Sequence, residues 1–113
     1  MAASTPAPVD GRAGFLVCLG YDDWEPARVI ASLAALGYRY CEWSLSHYPV
    51  GDQAALRRLV DETERGGMQV SELIAQQDFV TTDDAVWERR VANSEAAIRD
   101  AAACGIAAVN IWQ

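Results

Sequence analysis

The chain has 113 residues, with 9 Lys and Arg against 16 Asp and Glu, and a formal net charge of -7. That length holds one compact domain with one modest core, and that charge excludes a surface built to neutralise nucleic-acid phosphates. Every fixed cation is an arginine, which excludes Schiff-base chemistry and a P-loop lysine within the chain.

The opening "MAASTPAPVDGRAG" has no apolar h-region and does not read as a secretory signal. With Pro6 and Pro8 among small residues, residues 1–13 are expected to be a disordered tail. No apolar run is long enough to span a membrane, so no membrane partner is expected. Cys18, Cys41 and Cys104 lie far apart and form no CxxC pair. They read as reduced, buried thiols of a cytoplasmic protein.

From residue 14 the pattern becomes regular. "GFLVCLG" (14–20) is a short apolar run expected as a buried strand. In "DDWEPARVIASLAALG", Asp22 or Asp23 suits an N-cap, Pro26 the first turn and Gly37 the C-terminal stop. Val29, Ile30, Leu33 and Leu36 form its apolar stripe. "YRYCEWSL" (38–45) is the second strand. A loop leads to a helix over 52–66 that carries Leu56, Leu59, Val60 and Thr63 on one side. "MQVSELIA" (68–75) is the third strand, and "QQDFVTTDD" a polar loop. The third helix is expected over 84–104, with Trp87, Val91, Ser94, Ile98 and Ala101 or Ala102 on one face. "IAAVNIW" (106–112) is the fourth strand. The fold class is therefore α/β, a parallel βαβαβαβ sheet covered by helices.

A repeat runs through this pattern. Each helix stops at a glycine (Gly37, Gly67, Gly105), and five residues later comes a polar group: Glu42, Glu72, Asn110. Strand side chains alternate, so equal offsets put these three on equivalent faces. A lone buried carboxylate is costly, so Glu42 is expected to sit in a polar layer. Two architectures fit the element order: a doubly wound open sheet and the first half of a (β/α)8 barrel. The polar layer favours the barrel, whose strands turn one face inward.

Several residues are candidates for chemistry. Asp22-Asp23 can cap a helix or bind Mg²⁺, but a receiver-type site would also need a lysine the chain lacks. His47, the only histidine, follows strand two, on the side where parallel α/β folds place their sites. It reads as a substrate contact, a metal ligand or a plain loop residue. Gln76, Gln77 and Asp78 follow strand three and can read sugar hydroxyls or form a solvated loop. Glu42 and Glu72 read as an acid/base pair or as a structural network. Trp43 and Trp87 read as core, and Trp112 as core or as a stacking face for a sugar.

"GYRYCEW", a glycine-aromatic-x-x-x-Glu strand after a helix ending "ALG", resembles strand two of the xylose-isomerase-like TIM-barrel superfamily. "LVCLGYDDWEPARVIASLAALGY", "GGMQVSELIAQQDF" and "CGIAAVNIW" resemble its first, third and fourth units, so the resemblance covers residues 14–113. It implies the N-terminal half of a sugar or sugar-phosphate isomerase or epimerase. The complete family fold uses a divalent metal (Mn, Mg, Co or Zn), whose ligands in the sugar-epimerase members come from strands five to eight. None of those ligands falls on a residue here, and none of that metal is expected to be bound by this chain alone. What carries over is Glu42 as the strand-two glutamate, with His47, Gln76, Gln77 and Trp112 as substrate-side contacts. The implied partners are a small sugar or sugar phosphate, and a second copy or a C-terminal half to complete the barrel. The resemblance implies a family rather than an activity of this polypeptide, which is expected to be inactive alone. A flavodoxin-like or receiver-like binding module without catalysis is the alternative.

Overall fold

The computed structural model describes residues 14–16 and 20–112, without the side chains of Phe15, Leu16 and Trp112. The expected tail over residues 1–13, and Cys18, lie outside the described residues. Four strands and three helices alternate: β1 (Gly14–Leu16), α1 (Pro26–Ala35), β2 (Tyr40–Ser44), α2 (Gln53–Arg65), β3 (Gln69–Gln76), α3 (Asp84–Ala103) and β4 (Val109–Trp112). All pairings are parallel, in the order β1-β2-β3-β4. A doubly wound sheet reverses its strand order at a switch point. This sheet has no reversal, which departs from the flavodoxin-like or receiver-like alternative.

The sequential order has a packing consequence. Right-handed crossovers that always step the same way put their helices on one side of the sheet. The core obeys this: Cys41 and Trp43 of β2 and Leu73 and Ala75 of β3 share one face. They pack in a single cluster with Val29, Ile30 and Leu33 of α1, Leu56, Leu59 and Val60 of α2, and Ala97 and Ala101 of α3. The indole of Trp43 is fully buried, and its Nε1 donates to Thr63 Oγ1 at 3.0 Å. The Thr63 hydroxyl donates in turn to Leu59 O at 2.7 Å. Thr63 therefore belongs on the apolar stripe of α2 because it satisfies the one polar atom the tryptophan brings inside.

The helix ends follow their sequence signals with one exception. Asp52 accepts from Ala55 N at 2.9 Å and Asp83 from Val86 N at 3.2 Å, so both act as side-chain caps. Gly37, Gly67 and Gly105 lie at φ 86, 86 and 74, in the left-handed region that glycine enters without strain. The exception is α1, whose N-cap is Glu25 with no side-chain cap bond, ahead of Pro26. Neither Asp22 nor Asp23 caps it; Asp22 is used elsewhere, as shown below. Leu36, expected on the α1 stripe, lies past the helix and is 56% exposed.

The face of α3 also differs from expectation. Ser94 and Ala101 are buried, but Trp87 is 49% and Ile98 47% exposed, and their places are taken by Ala97 and Asp100. The cause is where the helix lands. β4 pairs only with the second half of β3, from Leu73↔Val109 to Gln76↔Trp112. Cys104, at the end of α3, sets its thiol 3.5 Å from the Gln53 carbonyl at the start of α2. Only the C-terminal half of α3 thus lies against the core.

Asp100 is 2% exposed, and its Oδ2 accepts from the Tyr48 hydroxyl at 3.0 Å and the Gly51 amide at 2.7 Å. It clamps the β2–α2 loop to α3. Burial, then this bond to Asp100, push the Tyr48 phenol well above its ordinary pKa. Among the described residues no helix is long and apolar enough to cross a membrane.

Candidate functional site

The sheet face opposite the helices carries the polar groups. Glu42 and Glu72 are direct register partners on neighbouring strands. That pairing depends on a β-bulge. Cys41 opposes Val70 and Glu42 opposes Glu72, so Ser71 is the extra residue on β3. Without the bulge Glu42 would oppose Ser71. The Ser71 hydroxyl turns to Cys41 O at 3.4 Å.

Asn110 joins from β4, where its Nδ2 donates to Glu72 Oε1 at 3.4 Å. Its backbone partner is Ile74, so it stands one pleat nearer the strand ends than Glu72. The three residues share a face as their equal offsets imply, but as a slanted row.

Room for Glu42 comes from β1. A Cβ on Gly14 would stand 3.2 Å from both Glu42 Oε1 and Ser71 Oγ. Glycine leaves that space to the carboxylate. Burial, then the neighbouring Glu72 carboxylate, raise the Glu42 pKa from its ordinary value. Among the described residues no arginine forms an ion pair with either glutamate. Two facing carboxylates without a cation repel each other across the strands.

A second polar cluster ties the β1–α1 loop to the β2–α2 loop. His47 Nε2 lies 3.2 Å from Tyr21 O, and because a carbonyl only accepts, Nε2 carries a hydrogen. His47 Nδ1 lies 3.0 Å from Ser44 Oγ, which lies 2.6 Å from Ser46 Oγ. Ser46 donates to Asp22 Oδ1 at 2.9 Å. These contacts run as a chain from the imidazole through the two hydroxyls to Asp22. Both ring nitrogens of His47 are thus engaged within the protein, and its ring edge meets Trp43 at 5.0 Å between centroids. Asp22, expected as a cap, is the end of this chain.

At the end of β3, Gln76 is exposed on the face that carries Glu72 and Ile74, in register with Trp112. The Trp112 side chain lies outside the described residues, so its stacking role is placed only by that register. Gln77 turns away and donates to the Gln76 carbonyl at 2.8 Å. Asp78 Oδ1 accepts from Val80 N at 2.8 Å, which makes it a turn residue.

The structure therefore gathers Glu42, Glu72 and Asn110 in one row and His47, Ser44, Ser46 and Asp22 in another. It shows no hydrogen bond among Glu42, His47 and Gln77. Sequence reasoning missed Ser44, Ser46 and Asp100. The first two had no signal beyond their nearness to His47. Asp100 had one: an acid in the last turn of a helix opposes the dipole and implies a partner.

Among the described residues no group of three or more His, Cys, Asp or Glu side chains converges as a metal site would require. Glu42 and Glu72 give two carboxylates, short of the donor set for the divalent cation of the resembled family, and no step through a metal is derived. Comparison of the chain with protein-family models, with curated proteins and with solved structures gave no match.

Proposed function

We propose that this chain forms the first four staves of a (β/α)8 barrel of the xylose-isomerase-like type. Its role would be the substrate-side wall of a sugar or sugar-phosphate isomerase or epimerase. The observation that carries the reading is the sheet: sequential parallel strands, helices on one face, and Glu42, Glu72 and Asn110 on the other. In a barrel that second face points inward, and groups toward the C-terminal strand ends serve the site. Gln76 and Trp112 stand at those ends, with Glu42 and Glu72 lower in the interior. The His47 cluster fixes the first two loops around the mouth, and Gln77 lies at its rim.

The chemistry is division of labour. Amide and carboxyl groups pair with sugar hydroxyls as donors and acceptors. A carboxyl with a raised pKa can hand a proton to a substrate oxygen or take one back. Four strands are half of the eight that close such a barrel, and β1 and β4 each pair on one side only among the described strands. Strands beyond these four, whether from further chain, a partner or a second copy, would complete the barrel, and the four strands alone are inactive.

Native mass spectrometry with and without Mn²⁺ tests this. The expected result is a dimer, or a monomer that forms a stable one-to-one complex with strands five to eight of a superfamily member. A monomer that accepts no such half overturns the reading.

A further inference from the structure

Beyond the inner face of the sheet, the β3–α3 loop and the first half of α3 form a cleft of about 480 Å³ lined by Gln77, Val86, Arg89, Arg90, Ala92 and Asn93. We infer that this cleft is an anion site, built to take the phosphate group of a small phosphomonoester. The inference rests in part on the sugar-phosphate reading above, and its own ground is the charge and placement of the two arginines.

The chain is acidic overall, with 16 carboxylates to 9 arginines. Among the described residues the ion pair present is Arg99 with Glu95 on the same helix; Arg89 and Arg90, like the other described arginines, form none, but these two stand side by side on one cleft wall. The nearest acid in sequence across the cleft, Asp78, directs its Oδ1 to Val80 N. Arg90 instead donates through one guanidinium nitrogen to the Asp78 carbonyl. That bond pins the planar group against the loop and leaves its remaining N–H donors for a ligand. A guanidinium held by one edge with its others free is suited to bidentate recognition of phosphate.

The helix geometry adds direction. The buried stripe of α3 runs through Ser94, Ala97 and Ala101. Continued toward the N-terminus at helical spacing, it passes Arg90 and Val86. The side of α3 that packs on the sheet lower down therefore presents arginine above it, in the turn beyond the strand. Gln77 and Asn93 add neutral amide groups to the same walls. The volume lies in the range of small-molecule clefts, and the flanking groups are donors rather than carboxylates.

The test is amide and arginine side-chain NMR on the full ¹⁵N-labelled chain, titrated separately with inorganic phosphate, fructose 6-phosphate and fructose. The expected result is a saturable shift of residues 77 and 86–93 with both phosphate probes. Arg89→Gln, which breaks no described hydrogen bond, should weaken each by about tenfold or more, and Arg89→Gln with Arg90→Gln should abolish it. Glu88→Gln should leave binding unchanged or tighter. A larger shift with fructose 6-phosphate than with inorganic phosphate assigns the site to a phosphomonoester. Equal responses keep an anion site but overturn the phosphomonoester assignment. No shift with either phosphate, or a shift that survives the double variant, overturns the site. Shifts with fructose at Gln76 and Asn110 report on the barrel reading separately, whatever the phosphate probes do.

Discussion

Truncation of Asp100 tests how the β2–α2 loop is held. Its Oδ2 alone takes both the Tyr48 hydroxyl and the Gly51 amide. Hydrogen bonds to a charged group contribute about 1.5–3 kcal/mol each. The two losses are unequal. Gly51 is exposed and its amide can turn to water, whereas Tyr48 is 5% exposed and its hydroxyl would be stranded. A stranded buried hydroxyl costs about 1–3 kcal/mol. Against this, Asp100→Ala removes an acid from the last turn of α3, a relief of about 0.3–1 kcal/mol, and raises helix propensity by up to about 0.7 kcal/mol. The expected net loss is about 2–3 kcal/mol. Asp100→Asn keeps one oxygen able to accept both bonds and should lose only charge assistance, about 1 kcal/mol. Tyr48→Phe removes the hydroxyl and its bond to the carboxylate and should lose about 1.5–3 kcal/mol. In the double variant Asp100→Ala with Tyr48→Phe no hydroxyl is stranded, so its loss should fall short of the sum by about 1–2 kcal/mol. Urea denaturation followed by far-ultraviolet circular dichroism reads each value from the midpoint, at constant slope. An Asp100→Ala loss under about 0.5 kcal/mol, or strict additivity with Tyr48→Phe, would refute the clamp.

Three further outcomes follow from the same structure. Glu42→Gln should stabilise the fold at pH 7 by about 0.2–1 kcal/mol, the size of a like-charge cross-strand penalty, seen as a Tm rise of a few degrees. Because the folded-state pKa of Glu42 is raised, wild type gains its protonated-state stability at low pH and loses it as pH rises through that value. The advantage of the variant should therefore fade on acidification, and an advantage independent of pH would exclude the Glu42–Glu72 pair as its source. Gly66→Ala should destabilise by about 1–3 kcal/mol, since the added Cβ would stand 2.2 Å from the Ile30 side chain; an unchanged Tm would mean that α1 and α2 yield freely. Cys41, buried with its thiol pushed up to about 12 by desolvation and by Glu42, should resist alkylation at pH 8 until urea unfolds the chain; mass spectrometry of the native protein with Cys41 labelled would contradict its burial.

How much of this was legible in the sequence depends on range. The α2 stripe was read correctly to the residue, because helical spacing is local and that helix has one apolar side. The α3 face was misread because Trp87 and Ile98 are its large apolar residues, while the buried side is made of Ala97, Ala101, Ser94 and Asp100. Small side chains leave no strong period, and the sheet, not the helix, decides which side is covered. The cap at Asp22 or Asp23 failed for a related reason. A carboxylate before a helix has two uses, and the Ser46 hydroxyl from another loop claimed Asp22.

The polar row shows where local reading stops. Equal offsets from three glycines put Glu42, Glu72 and Asn110 on one face, but parity does not set register. β2 and β3 enter their pairing one residue out of step, Tyr40 against Gln69, three residues past Gly37 but two past Gly67. The extra residue Ser71 restores the step, and only then does Glu42 oppose Glu72. Gly14, two strands' worth of sequence away, supplies the space. A bare glycine, a bulge and two acids in register therefore converge from three strands to hold like charges together without a cation. Each choice weakens the sheet by itself: glycine adds no packing, a bulge breaks the ladder and facing carboxylates repel. Stability alone would favour an apolar pair there. These local choices, each opposing stability and all meeting at one place, are the feature of this face on which the proposed function rests.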